Sequence, residues 1–237
     1  MKTAIVAAAL LCLTVFGSSA DTLYPAALTF EPGYANGPPA GFPWSEPPNY
    51  GDPITIVGRV SAVAPPLQDL LPAGAFELTY VLEGFSCTEW GMWDDIPCTG
   101  GLYGLFQNGT LACYLDATPD ADFVNPATFR DGDLVLLAAC SHLPVTDDDP
   151  YENCPMVPDR PDVRGWLTFV GGAWFSHVSD QGTGFTGMMY GELGRTVPMP
   201  ILLQALGYIF QIDGTVDVNA PVAVTPATWG RVKALYR

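Results

Sequence analysis

Positive charge is what this sequence holds least of. Lys and Arg number 9 against 25 Asp and Glu, a formal net charge of −16. A phosphate backbone is repelled by that balance, so nucleic acid is excluded as a partner, and anionic lipid surfaces with it. Histidine is nearly absent: only His142 and His177 occur. No HExxH zinc pattern and no GxSxG nucleophile elbow is found. No CxxC is found either, which removes a zinc knuckle and a thioredoxin-like redox pair. Beyond the first twenty residues no apolar run approaches the ~20 residues a membrane-spanning helix needs, so no membrane insertion is expected.

The first twenty residues, MKTAIVAAALLCLTVFGSSA, read as a secretory signal peptide. Lys2 is the basic start, Ala4 to Phe16 the apolar stretch, and Ser18-Ser19-Ala20 the small residues before a cut. The apolar stretch is too short for an anchor. Cys12 follows Leu11, where lipidation would want a small residue. The mature chain is therefore expected to begin at Asp21 and to be secreted, extracellular or periplasmic. Self-repulsion keeps such acidic exported chains soluble. Carboxylates outside a cell also meet Ca²⁺.

Five cysteines follow the leader: Cys87, Cys98, Cys113, Cys140 and Cys154. Export favours disulfides. Cys87–Cys98 and Cys140–Cys154 each enclose a short polar stretch, and a bridge of that size contributes about 3 kcal/mol. Cys113 is then left as a small buried hydrophobe. Cys113–Cys140 is the rival pairing.

Residues 21–53 are rich in proline and aromatics. Leu23 to Phe30 suits an edge strand. The stretch after it lacks the donors for a helix or a central strand. It reads as an extended arm over the domain, with Tyr34, Phe42, Trp44 and Tyr50 as anchors, or else as a semi-rigid spacer. Residues 54–226 read as one β-rich domain. Ile54 to Val63 and Phe76 to Phe85 alternate with period two. Asp133 to Cys140 reads as a strand buried on both faces, and Met188 to Gly191 as a short strand. Residues 86–101 and 141–163 read as loops. Met199 to Phe210 reads as a helical turn passing into a strand.

Two dipeptides carry hairpin signals, Asn108-Gly109 and Asp213-Gly214. A two-residue turn at the first would set Phe106 against Leu111, Gly104 against Cys113 and Leu102 against Leu115, all on one apolar face. Gln107 and Thr110 would share the other face with Tyr103 and Tyr114. Short strands with glycine, proline and Asp/Asn turns predict an all-β, mainly antiparallel fold. A β-sandwich or small β-barrel with long Pro/Gly-rich loops meets that description. Little helix is expected beyond the signal peptide and a short C-terminal one. That last helix falls in residues 227–237, a basic amphipathic tail with Thr228 as N-cap and Trp229, Val232 and Tyr236 on one face.

Several stretches carry candidate chemistry. Gly182 to Gly187 matches GxGxxG, but a nucleotide fingerprint needs a following helix, and MMYGELG follows. A glycine-rich turn region explains it better. Ser176, His177 and Asp180 are near neighbours in sequence, yet hydrolase triads assemble across a fold. No catalytic residue is assigned. The stretch CTEWGMWDDIPC places Trp90 and Trp93 beside Asp94 and Asp95. On a constrained loop these indoles suit a glycan or a surface protein partner; the bland alternative is that both cap the core. Asp116, Asp120 and Asp122 form one acidic group, and Asp147, Asp148 and Asp149 a second beside Glu152. Oxygen ligands of this kind suit Ca²⁺, although neither group has the spacing of an EF-hand, and solvated acidic loops look the same. The composite expectation is an exported, non-enzymatic binding or surface/matrix β-domain. A carboxylate-dependent, glycosidase-like hydrolase and a structural subunit of a surface assembly are the alternatives.

Overall fold

A computed structural model describes residues 22–36, 50–96, 99–150, 162–178, 186–194 and 201–220. Among these residues eight strands follow one another, each antiparallel to the next, in a closed barrel. They are β1 (Thr22–Asn36), β2 (Pro53–Val63), β3 (Glu77–Ile96), β4 (Thr99–Asp116), β5 (Asp133–Pro150), β6 (Asp162–Gly171), β7 (Thr186–Gly194) and β8 (Tyr208–Ala220). The fold is all-β and mainly antiparallel. Of the two architectures expected, it is the barrel. Closure removes the open edges that a sheet otherwise exposes. Beside the seam, the Ala26 N–H donates to Asp217 Oδ1 at 2.8 Å.

Alternation fills the interior. Leu28 and Phe30 come from β1, Ile54 and Ile56 from β2, Leu78, Tyr80 and Leu82 from β3. Each fully buried large apolar side chain contributes roughly 1.5–3 kcal/mol relative to exposure. Phe30 and Tyr80 stack with centroids 4.1 Å apart. Leu67 from the β2–β3 connection joins this core, as do Trp174 and Val178 from the turn and short helix α1 (Phe175–Val178) after β6. An up-and-down order places both connections at the same end of the barrel.

A second apolar cluster lies outside the wall. The excursion between β4 and β5 carries Ala121, Phe123 and Phe129 onto Val57 and Val81, and Tyr34, Leu203 and Tyr208 complete the group. Leu203 belongs to the short helix α2 (Ile201–Ala205). Tyr34 meets Phe123 edge-on at 4.7 Å, and the Tyr208 hydroxyl donates to Phe123 O at 3.0 Å. Polar pins hold the excursion. Arg59 Nε donates to Glu77 Oε1 at 2.6 Å, and Arg59 also donates to Ala121 O. Glu77 Oε2 accepts the N–H groups of Asp120 and Ala121.

Both hairpin expectations are corrected. β4 runs unbroken through Asn108-Gly109: Gln107 faces Ser86 and His142, while Gly109 faces Cys140. A two-residue type I′ turn needs positive φ at both central residues. Only Asn108 has it, at 65°. One such residue shifts the phase of a strand without reversing it. Phe106, Leu111 and Cys113 are nevertheless all buried, as the alternation implied. Likewise β8 continues through Asp213-Gly214, which face Glu192 and Gly191. The stretches 86–101 and 141–163 were expected as loops. Instead β3 extends to Ile96, β4 begins at Thr99 and β5 extends to Pro150. β1 likewise continues to Asn36, into the proline-rich stretch, and buries Tyr34; Tyr50 is exposed.

The expected disulfides are corrected with the loops. Cys87 and Cys140 are free and buried, as is Cys113. Cys87 faces Phe106, whereas Thr99, the neighbour of Cys98, faces Ile96. The leader, Phe42, Trp44, Cys98, Glu152, Cys154, Asp180, residues 182–185 and the tail 227–237 lie outside the described residues.

Candidate functional site

Inward-facing positions alternate by two along a regular strand. In β3, β4 and β5 that alternation slips. Leu82 and Phe85 point in, with Glu83 and Gly84 between them. Phe106 and Gly109 point in, with Gln107 and Asn108 between them. Cys140 and Leu143 point in, with Ser141 and His142 between them. Each strand thus sends two consecutive residues outward. On β4 and β5 the slips coincide, because Gln107 faces His142 and Gly109 faces Cys140. Positive φ values at Gly84 (80°) and Asn108 (65°) accommodate the slip.

The slip stops at both flanks. Ile54 and Ile56 of β2 face Phe85 and Leu82, so β3 carries one extra residue there. Leu167 and Trp166 of β6 face Cys140 and His142, so β5 carries one extra residue there. Such bulges re-aim side chains. The result is a block of four polar side chains on the outer wall: Gln107, Asn108, Ser141 and His142. Asn108, Ser141 and His142 are exposed, and Gln107 is half-buried.

Trp166 stands beside this block. β6 keeps its phase, with Val163, Leu167 and Phe169 buried and Arg164 and Trp166 exposed. An indole 43 % exposed therefore sits on the polar phase of its strand. Its ring meets the His142 ring edge-on, with centroids 6.4 Å apart and planes at 86°. His142 Nδ1 and Ser141 Oγ are hydrogen-bonded at 3.0 Å. Ser86, Gln107, His142 and Trp166 form one row across four strands.

The residues expected from the sequence fall elsewhere. Trp90 is half-buried and packs against the barrel core, the bland alternative for that residue. Trp93 faces Gly101, which faces Asp148; Asp94 faces Gly100, which faces Asp149; and Asp147 faces Leu102. Two groups far apart in sequence thus share consecutive rows of β3–β4–β5. Asp95 lies in β3 beside them.

Asp116 and Asp120 do come together, but with Asp131, their carboxylate oxygens lying within 4.8 Å of one another. Asp122 is not part of this trio, and its Oδ1 instead accepts the Val124 N–H at 2.9 Å. Desolvation, then the charges of Asp131, Asp116 and Glu77, hold the Asp120 carboxyl above the usual carboxylate range. Three carboxylates in this arrangement suit a hard cation, and equally a solvated surface.

His177 and Ser176 are exposed on α1. Thr186 and Gly187, where a nucleotide fingerprint would open a helix, begin strand β7. Sequence reasoning passed over Trp166, Gln107, Asn108, Ser141 and His142 as a group. One signal was available: in VRGWLTF a tryptophan occupies the polar phase beside Arg164. No protein-family model, no curated protein and no solved structure matches this chain.

Proposed function

We propose that this chain is an exported, non-enzymatic binding protein that holds its ligand on the outer wall of the barrel. The observation that carries the reading is the shared phase slip of β4 and β5. It doubles the outward polar side chains at Gln107, Asn108, Ser141 and His142, beside the exposed Trp166. An exposed tryptophan among hydrogen-bonding groups is a common anchor of binding surfaces.

The interior supports the outer wall as the site. An eight-stranded barrel is just wide enough to be filled by side chains or to hold one small ligand. Here Phe30, Tyr80, Phe85 and Phe106 are fully buried within it. Export rests on the leader pattern of residues 1–20. The test is retention of purified protein on cell surfaces and extracellular matrix, wild type against Trp166→Ala. The variant is expected to wash off. Equal retention of both proteins sinks the site. Turnover of a polysaccharide panel would favour a hydrolase, and concentration-dependent oligomers in sizing experiments would favour a structural subunit.

A further inference from the structure

Resting on that outer-wall reading, we infer that the ligand is a neutral oligosaccharide. One pyranose ring stacks on Trp166, and further hydroxyls are held by Gln107, Asn108 and the Ser141–His142 pair. The chemistry of the block selects this class. The Gln107 and Asn108 amides each offer donors and acceptors, and Ser141 offers a hydroxyl that does both. Vicinal sugar hydroxyls are likewise donors and acceptors at once. A sugar ring also presents an apolar C–H face, which an indole covers well.

Other ligand classes fit worse. The net charge of −16 repels polyanions such as sulfated or uronic-acid glycans. A cationic ligand would seek carboxylates, and the four block residues carry none. A peptide joining by strand addition needs an open sheet edge. The barrel is closed and offers none at this wall.

Length follows from the row. Gln107 and Trp166 stand two strands apart, about 10 Å at the usual spacing of neighbouring strands. One ring stacked on the indole leaves Gln107 for the next ring, so the block suits a disaccharide or longer. The edge-on His142 contact limits the rotation of Trp166, so less side-chain freedom remains to be lost on binding.

The test is titration calorimetry with intrinsic tryptophan fluorescence on the full-length exported protein. The probes are cellohexaose, xylohexaose, mannohexaose and chitohexaose, with polygalacturonate and heparin as anionic controls. At least one neutral hexasaccharide is expected to bind, more tightly than its monosaccharide, and no anionic control. Trp166→Ala and Gln107→Ala are each expected to weaken binding about tenfold, with Trp166→Phe intermediate. Circular dichroism and melting are expected to stay at wild-type values, since both side chains stand on the outer wall.

Failure of every neutral probe overturns the inference, as does binding that ignores both alanine variants. If cell-surface retention depends on Trp166 but no neutral glycan binds, the glycan assignment falls and the outer-wall site stands. If neither retention nor glycan binding depends on Trp166, both fall.

Discussion

The Phe85 ring occupies the space that a side chain on Gly109 would need. Three of its ring carbons lie 2.4 Å from the position of a Cβ there. Phe85 is fully buried, so the ring has no solvent to swing into. The pair joins β3 to β4 at the row where both strands slip phase. Gly109→Ala is expected to destabilise the barrel by about 1–3 kcal/mol through overpacking. Urea denaturation measures it. Phe85→Leu in the same chain is expected to recover part of the loss, and strict additivity of the two changes would contradict the contact.

Glu77 is the clasp of the excursion that covers Val57 and Val81. Its side chain is only 12 % exposed, and it accepts from Arg59 and from two backbone N–H groups. Glu77→Ala leaves those donors unmatched, at a cost of about 1–3 kcal/mol. Limited proteolysis is expected to cut within residues 117–132 faster in the variant than in the wild type. Equal cutting rates would show that the aromatic cluster alone holds the excursion.

Burial governs the thiols. It pushes both the Cys113 and the Cys140 thiol up to about 12 from an ordinary value of 9.0, with backbone hydrogen bonding at His142 and Trp166 acting the other way on Cys140. The folded state then keeps its protons where the unfolded state releases them. Stability from these groups is complete below about pH 9 and is lost as the pH rises toward about 12. Melting temperatures between pH 7 and pH 11 are expected to fall across the upper part of that range. Cys113→Ala/Cys140→Ala is expected to flatten the fall. In the native protein at neutral pH, iodoacetamide is expected to leave both thiols unmodified until denaturant is added.

Asp120 shows the opposite face of the same linkage. Its acid is held above the usual range by desolvation and by Asp131, Asp116 and Glu77, so folding favours its protonated form. The penalty is complete at neutral pH and fades as the pH falls through the carboxylate range. Asp120→Asn is therefore expected to raise the melting temperature at pH 7 and to leave it unchanged near pH 3. If the trio with Asp116 and Asp131 takes up Ca²⁺, millimolar Ca²⁺ raises the wild-type melting temperature and not that of Asp120→Asn. Identical shifts in both proteins would remove the cation from the trio.

The all-β class was legible because alternation is local. Ile54 and Ile56, or Leu78, Tyr80 and Leu82, announce an inward face without reference to any partner. The inward set Phe106, Leu111 and Cys113 was legible for the same reason. The state of the cysteines was not, because the expected bridges assumed loops, whereas Cys87 and Cys140 are free and buried within paired strands β3 and β5. Trp90 and Trp166 were hard to rank for a related reason. Which tryptophan is covered depends on the strands that lie beside it, and those come from distant parts of the chain.

Asn108-Gly109 shows where the division falls. The order of the amino acids determined that the inward phase changes from even to odd positions between Phe106 and Leu111. It also supplied a residue tolerant of positive φ to make the change. A chain reversal and an in-line slip both satisfy that local requirement. Only the packed barrel decided between them, because β3 and β5 pair with β4 on both sides of Asn108, and hydrogen bonding to two neighbours holds the strand straight where a lone pair of strands would have turned back.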